Sequence, residues 1–207
     1  MSGLSALALA AGVLGGLMAL WVDQAVTRRQ SDTFNSVSLA VCAGFGLAVG
    51  LLSHLTLQTP LLTGAALAAS TALAVAVSTD LRFGQLSDLT SLIIAVAAMF
   101  AAPILTPGLT RLDMVIAAAL AAGILLLAGL YGRLRRGEMG LGSGDILLAG
   151  ALGLWCPPQL AALSVALGAG FTLAAGVVMG ARNQTRLPFG PGLAAGFALG
   201  IILDRVL

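Results

Sequence analysis

The chain has 207 residues, of which 59% are hydrophobic and only 9% are charged, whereas about a quarter of the residues in soluble domains are charged. A chain this apolar has no polar surface to cover a soluble core, so its backbone groups must pair internally within lipid. The net charge of +2 gives no reason to expect a nucleic-acid partner. Because the apolar runs are continuous rather than alternating, the composition predicts an all-α, polytopic helix bundle in a lipid bilayer.

Eight apolar runs are candidates for membrane-spanning helices, given the length that a bilayer core requires. The first has no basic residue before it, so we expect a retained helix rather than a cleaved signal peptide. The sixth is short, and Pro157-Pro158 ends it because proline cannot continue a helix. No linker divides the chain, so residues 1–207 are expected to form a single membrane domain. The runs lie near residues 3–22, 36–56, 61–79, 88–105, 113–132, 145–157, 159–180 and 189–206.

The ten basic residues, all arginines, indicate how these helices are oriented. With eight helices, the connecting loops alternate between the two sides of the membrane. Eight arginines fall in the odd-numbered loops, and only Arg111 and Arg205 fall on the other side. Because cytoplasmic loops are enriched in Lys and Arg, we expect the odd-numbered loops to be cytoplasmic and both termini to lie outside.

The two cysteines and the single histidine do not suggest a metal centre. Cys42 and Cys156 lie in or beside apolar runs and form no CxxC pair, so we expect them to be small hydrophobic residues. His54 has no Cys or His neighbour with which it could hold a metal ion. We therefore expect neither a metal nor another cofactor.

Two acidic residues at the ends of apolar runs differ from the other six. Asp80 ends or extends the third run, Asp145 opens the sixth, and loop alternation places both on the cytoplasmic side. An acid at membrane depth needs a partner or a water-filled cavity. Two neighbouring carboxylates can share a proton, so that one activates water while the other polarises a carbonyl. From the residues alone, a structural role fits equally well, with Asp145 as a helix cap and Arg82 as the partner of Asp80.

Three segments around these acids resemble those of the type IV prepilin peptidases, which are GxGD intramembrane aspartic peptidases. Asp80 and Asp88 keep the eight-residue spacing of the family's first segment, in which the second aspartate opens a helix. Residues 142–145 read Gly-Ser-Gly-Asp and match the GxGD motif. Residues 187–196 resemble the family's PFGP segment before the last helix. The three segments occur in the family's order, and the resemblance extends from the third helix to the last.

The resemblance implies an intramembrane aspartic endopeptidase that removes the short basic leader from prepilin-like proteins, either type IV pilins or pseudopilins. Cleavage would occur at the cytoplasmic face of the bacterial cytoplasmic membrane. The resemblance also implies that Asp80 and Asp145 are the catalytic pair.

Four further residues are implied to support the substrate or the loops. Gly142 and Gly144 would let the scissile strand approach the second catalytic acid. Asp88 is expected to cap its helix rather than to catalyse, and Arg82 to support the first loop.

The sequence departs from the family pattern in three respects. Ser87 stands where a proline often precedes the second aspartate, and Leu147 stands where a lysine commonly follows the GxGD motif. The loop between the first two runs is short and lacks the cysteine-rich domain that long family members carry there. Because that domain is associated with N-methylation, we expect a peptidase-only form.

Three other interpretations remain open at this point. Another type of GxGD intramembrane protease would share the acid pair but not the PFGP segment. A proton-coupled permease for small substrates would be favoured by inverted repeats and by acids midway across the membrane. An inactive homologue could serve as an assembly factor, with Leu147 as the one departure that points to it.

Overall fold

The computed structural model describes residues 60–137, 140–178 and 188–206. These ranges contain no strand, which confirms the all-α class for this part of the chain. The helices correspond, in order, to the third to eighth predicted runs, whereas the first two runs lie outside the described residues. The helices are α1 (Pro60–Phe83), α2 (Asp88–Leu105), α3 (Arg111–Arg136), α4 (Ser143–Gly153), α5 (Pro158–Val178) and α6 (Gly190–Val206).

Within the described ranges, four helices contain segments long and apolar enough to cross a membrane, and the chain is a membrane protein. By contrast, α4 has 11 residues and rises by about 16 Å, roughly half the thickness of a bilayer's hydrocarbon core. The apolar part of α6 is also shorter than a span. The expected count of about eight spanning helices is therefore not confirmed. The four segments are Gly64–Leu81, Asp88–Leu105, Arg111–Arg135 and Pro158–Val177.

Polar caps and glycines mark the ends of the long helices. At the start of α3, the Thr110 backbone N–H donates to Asp113 Oδ2 at 3.0 Å, and the Asp113 N–H donates back to Thr110 Oγ1 at 3.1 Å. This reciprocal pair is a capping box, so Asp113 stabilises the start of α3. Gly84 and Gly137 follow α1 and α3 with φ of 60° and 78°, a left-handed conformation that glycine adopts without a Cβ penalty.

The short helix α4 lies in the middle of the apolar core. Leu148 and Ala149 on this helix are fully buried, and so is Cys156 just beyond it, as expected for a small hydrophobic residue. At Gly153, an added Cβ atom would lie 2.9 Å from the Ala118 Cα atom of α3. Close backbone contact of this kind is how helices associate in lipid, where no hydrophobic force drives them together.

Candidate active site

Three helix ends meet at one end of the bundle and bring the two singled-out acids together. They are the carboxyl end of α1, which carries Asp80, the amino end of α4, which carries Asp145, and the amino end of α6. The Gly190 N–H of α6 donates to Asp80 Oδ2 at 2.6 Å. The α1–α2 loop contacts the amino end of α4 through Leu86 and Gly144. Both acids therefore lie at the same end of the described bundle, and the cytoplasmic side of that end stays a prediction.

Asp80 lies inside the last turns of α1 and is only 5% exposed. Besides Gly190, the backbone N–H of Phe189 hydrogen-bonds the same carboxylate. Backbone donors at a helix amino terminus favour a negative charge because the first N–H groups have no partner within the helix. The partner of Asp80 is thus the start of α6. The side chain of Arg82, the partner expected from the sequence, lies outside the described residues.

Asp145 is the third residue of α4 and lies outside the four candidate spans. Its Oδ2 accepts a hydrogen bond from the Gly142 backbone N–H at 3.0 Å, so it does act as a helix cap. Its Oδ1 is buried and has no hydrogen-bond partner among the described residues. Burial raises the pKa of Asp145 to about 6, the bond from Gly142 opposes this shift, and the negative charge of Asp80 adds to it. The two carboxylates are therefore close enough to influence each other's charge, and capping does not exclude pairing.

Gly144 is required by packing between α4 and the α1–α2 loop. A Cβ atom at this position would lie 2.7 Å from the Leu86 Cβ and 3.1 Å from the Leu86 carbonyl oxygen. The space beside Gly144 is thus filled by Leu86, a role that sequence reasoning missed. At Gly142, an added Cβ would lie 3.4 Å from Asp145 Oδ2, and its expected role in admitting substrate stays a prediction.

Asp88 is the first residue of α2 and is exposed. Ser87 occupies the N-cap position but makes no side-chain cap bond, whereas Thr90 Oγ1 donates to the Ser87 carbonyl at 2.6 Å. Asp88 is therefore not the N-cap that the sequence predicted, because that position belongs to Ser87. As an acid in the first turn, Asp88 stabilises α2 through the helix dipole. Leu147, at the position of the family lysine, is 49% exposed.

A small apolar pocket of about 190 Å³ lies beside the start of α6. Its lining includes the sequence neighbours of Asp80 and Gly190, so the pocket lies beside Asp80. The pocket is lined by Leu81, Phe171, Thr172, Ala175, Pro188, Pro191 and Gly192.

Among the described side chains, no group of three His, Cys, Asp or Glu residues could hold a metal ion.

Comparison with known proteins identifies one family. A model described as the type IV leader peptidase family matches residues 66–179, which is more than half of the chain and includes Asp80, Asp88 and Asp145. The PFGP segment follows after the matched residues. No curated protein and no solved structure matches the chain.

Proposed function

This chain belongs to the type IV leader peptidase family, and from that premise we propose that it removes the leader peptide of prepilin-like membrane proteins at the cytoplasmic membrane face. The family resemblance seen in the sequence is confirmed, and it supports an aspartic protease embedded in a membrane. The leader-bearing substrate and the cytoplasmic side are the proposed refinements.

Asp80 and Asp145 are the proposed catalytic pair. One carboxylate takes a proton from water as the water oxygen attacks the scissile carbonyl carbon, and the other gives its proton to the carbonyl oxygen. The tetrahedral intermediate then collapses, the C–N bond breaks, and the amine leaves with a proton returned by the pair. The observation that carries this proposal is that the helix ends bearing the two acids, which lie far apart in the sequence, meet at one end of the bundle.

The cytoplasmic side is supported by charges at the same end of the bundle. Arg133 and Arg135 are exposed in the last turn of α3, immediately before the loop that leads to Asp145. Positive residues next to membrane helices favour the cytoplasmic side. A site on that side would meet a basic leader before the leader's protein is exported.

A proton-coupled permease accounts less well for the arrangement. A transporter binds substrate and protons near the middle of the bilayer, commonly between repeated halves. Asp80 and Asp145 lie instead at one end of the bundle, which suits a substrate that approaches from outside the hydrocarbon core. The arrangement of the two acids therefore favours a hydrolase over a permease.

The proposal is tested with the full-length chain reconstituted in lipid vesicles and given a precursor that has a basic leader and one apolar segment. Mass spectrometry of the product identifies the bond that is cut. We expect Asp80→Asn and Asp145→Asn each to lower the cleavage rate by at least about 100-fold, the lower range for general acid–base catalysis.

Two other acids serve as matched controls in the same assay. Asp88→Asn and Asp113→Asn remove a carboxylate from the first turn of a helix without touching the pair, and both should retain most of the activity. Undiminished cleavage by either pair variant would refute the catalytic assignment. Cleavage of other membrane proteins, but not of the leader-bearing precursor, would refute the proposed substrate class.

A further inference from the structure

We propose that the first turn of α6 is a backbone clamp that keeps Asp80 ionised, so that Asp80 takes the proton from water and Asp145 carries the proton that the pair shares. This assignment of roles rests on the proposed function. In this scheme Gly190 is a positioning residue, because it contacts Asp80 and not the substrate.

The two acids differ in the hydrogen bonds that they accept. Asp80 receives the backbone N–H groups of both Gly190, at 2.6 Å, and Phe189. Asp145 receives the Gly142 N–H at 3.0 Å, and its buried Oδ1 has no hydrogen-bond partner in the part of the chain that the structure describes. Donors to a carboxylate favour its charged form, whereas an unpartnered buried oxygen disfavours it. Burial of Asp80, which is only 5% exposed, disfavours its charged form. The two backbone donors oppose this effect at Asp80, whereas Asp145 receives one, so the hydrogen bonds place the charge on Asp80 and the proton on Asp145.

The clamp depends on glycine at position 190. A Cβ atom there would lie 2.9 Å from Asp80 Oδ2 and 3.4 Å from its Cγ. The atom in the way is the free end of a side chain, so alanine would push the carboxylate aside rather than force the helices apart. Gly190→Ala therefore perturbs the clamp while leaving helix packing in place.

Helix α5 packs against α6 and thereby fixes the position of the clamp. Small residues recur at every fourth position along both helices, and they face each other in antiparallel order. At Gly196, an added Cβ would lie 2.5 Å from the Gly168 backbone nitrogen and 2.8 Å from its Cα. At Gly192, it would overlap the Thr172 hydroxyl, which donates to the Gly168 carbonyl at 3.0 Å. Backbone contact this close fixes how far α6 extends towards Asp80. The facing residues are Gly192, Gly196 and Gly200 of α6 and Thr172, Gly168 and Ser164 of α5.

The packed helices offer few other groups that could titrate near the clamp. Helix α5 and residues 190–201 of α6 contain no ionisable side chain. The described ionisable side chains at this end, apart from the pair, are Asp88, Tyr131, Arg133 and Arg135, and all four are exposed. A spectrum that isolates Asp80 is therefore needed to assign a change of titration in Gly190→Ala.

The direct test is a carboxyl titration of the full chain in lipid. Infrared spectroscopy with ¹³C-labelled aspartate monitors the titration. Subtracting the Asp80→Asn spectrum isolates Asp80. A hydrogen bond to the charged form of a carboxylate favours that form, so weakening the Gly190 bond should make Asp80 harder to ionise. We therefore expect Gly190→Ala to move the Asp80 titration up by about one pH unit. Gly170→Ala, an α5 variant with open space around the added methyl group, should not move it.

A second comparison tests the roles without altering Gly190. Asp80 is titrated in Asp145→Asn, and Asp145 is titrated in Asp80→Asn. The clamp predicts that Asp80 ionises at the lower pH of the two. The reverse order, or an Asp80 titration that Gly190→Ala leaves unchanged, would overturn the proposal.

Cleavage supplies the third readout. If Asp80 must be ionised, Gly190→Ala should lower kcat more than it raises KM and shift only the acid limb of the pH profile upwards. A lower rate with both limbs unmoved would indicate a structural role and contradict the clamp. Because the titrations need no peptidase activity, a failure of the clamp can be told apart from a failure of the proposed function.

Discussion

Gly144→Ala tests whether contact between α4 and the α1–α2 loop holds the two acids together. The added Cβ would lie 2.7 Å from the Leu86 Cβ and 3.1 Å from the Leu86 carbonyl oxygen. The loop and α4 must separate by several tenths of an ångström to relieve this overlap. Overpacking of this kind costs about 1–3 kcal/mol of stability. A displacement of about 1 Å at a catalytic group can lower a rate by about 100-fold, so we expect a rate loss of about 10- to 100-fold.

The measurements are thermal unfolding in detergent and the rate of leader cleavage in vesicles. Gly140→Ala is the matched control, because Gly140 lies in the segment just before α4 and an added Cβ would meet nothing within 4 Å. Equal melting temperatures and equal rates for the two variants would refute the packing role of Gly144. Equal melting temperatures with a rate loss confined to Gly144→Ala would show that the contact aligns the acids without stabilising the fold.

Three further predictions concern stability. The pKa of Asp145 is raised to about 6 in the fold. The protonated carboxyl therefore stabilises the fold below the pKa that Asp145 has in the unfolded chain, and this contribution is lost as pH rises through about 6. Asp145→Asn should therefore have a higher melting temperature than the parent chain at pH 8, and the difference in melting temperature should be smaller at pH 5. Gly196→Ala should lower stability by about 1–3 kcal/mol because it forces α5 and α6 apart, whereas Gly123→Ala, with open space around it, should not. Asp113→Ala removes one half of the capping box of α3 and should lower the midpoint of chemical unfolding while cleavage is retained.

The candidate pair could be predicted because its signals are local in sequence. The Asp80–Asp88 spacing and the GxGD motif mark helix ends, and loop alternation places those ends on one side. The capping role of Asp113 was predictable for the same reason, since both partners of its capping box lie within one turn.

The partners of the acids could not be predicted because they come from distant parts of the chain. Gly190 is 110 residues from the carboxylate that it contacts, and the PFGP segment indicated its importance but not its backbone donor. The contact of Leu86 with Gly144 depends likewise on tertiary packing. The four-residue repeat of small residues in α5 and α6, by contrast, is visible in the sequence and could have indicated their close packing.

The central claim, that the two acids act as one unit, is tested most directly by comparing the cleavage rates of Asp80→Asn, Asp145→Asn and the double variant. Residues that act together show non-additive losses. We expect the double variant to cleave the leader-bearing precursor no more slowly than either single variant. A double variant whose loss equals the product of two separate losses would show that the acids act independently and would contradict the account.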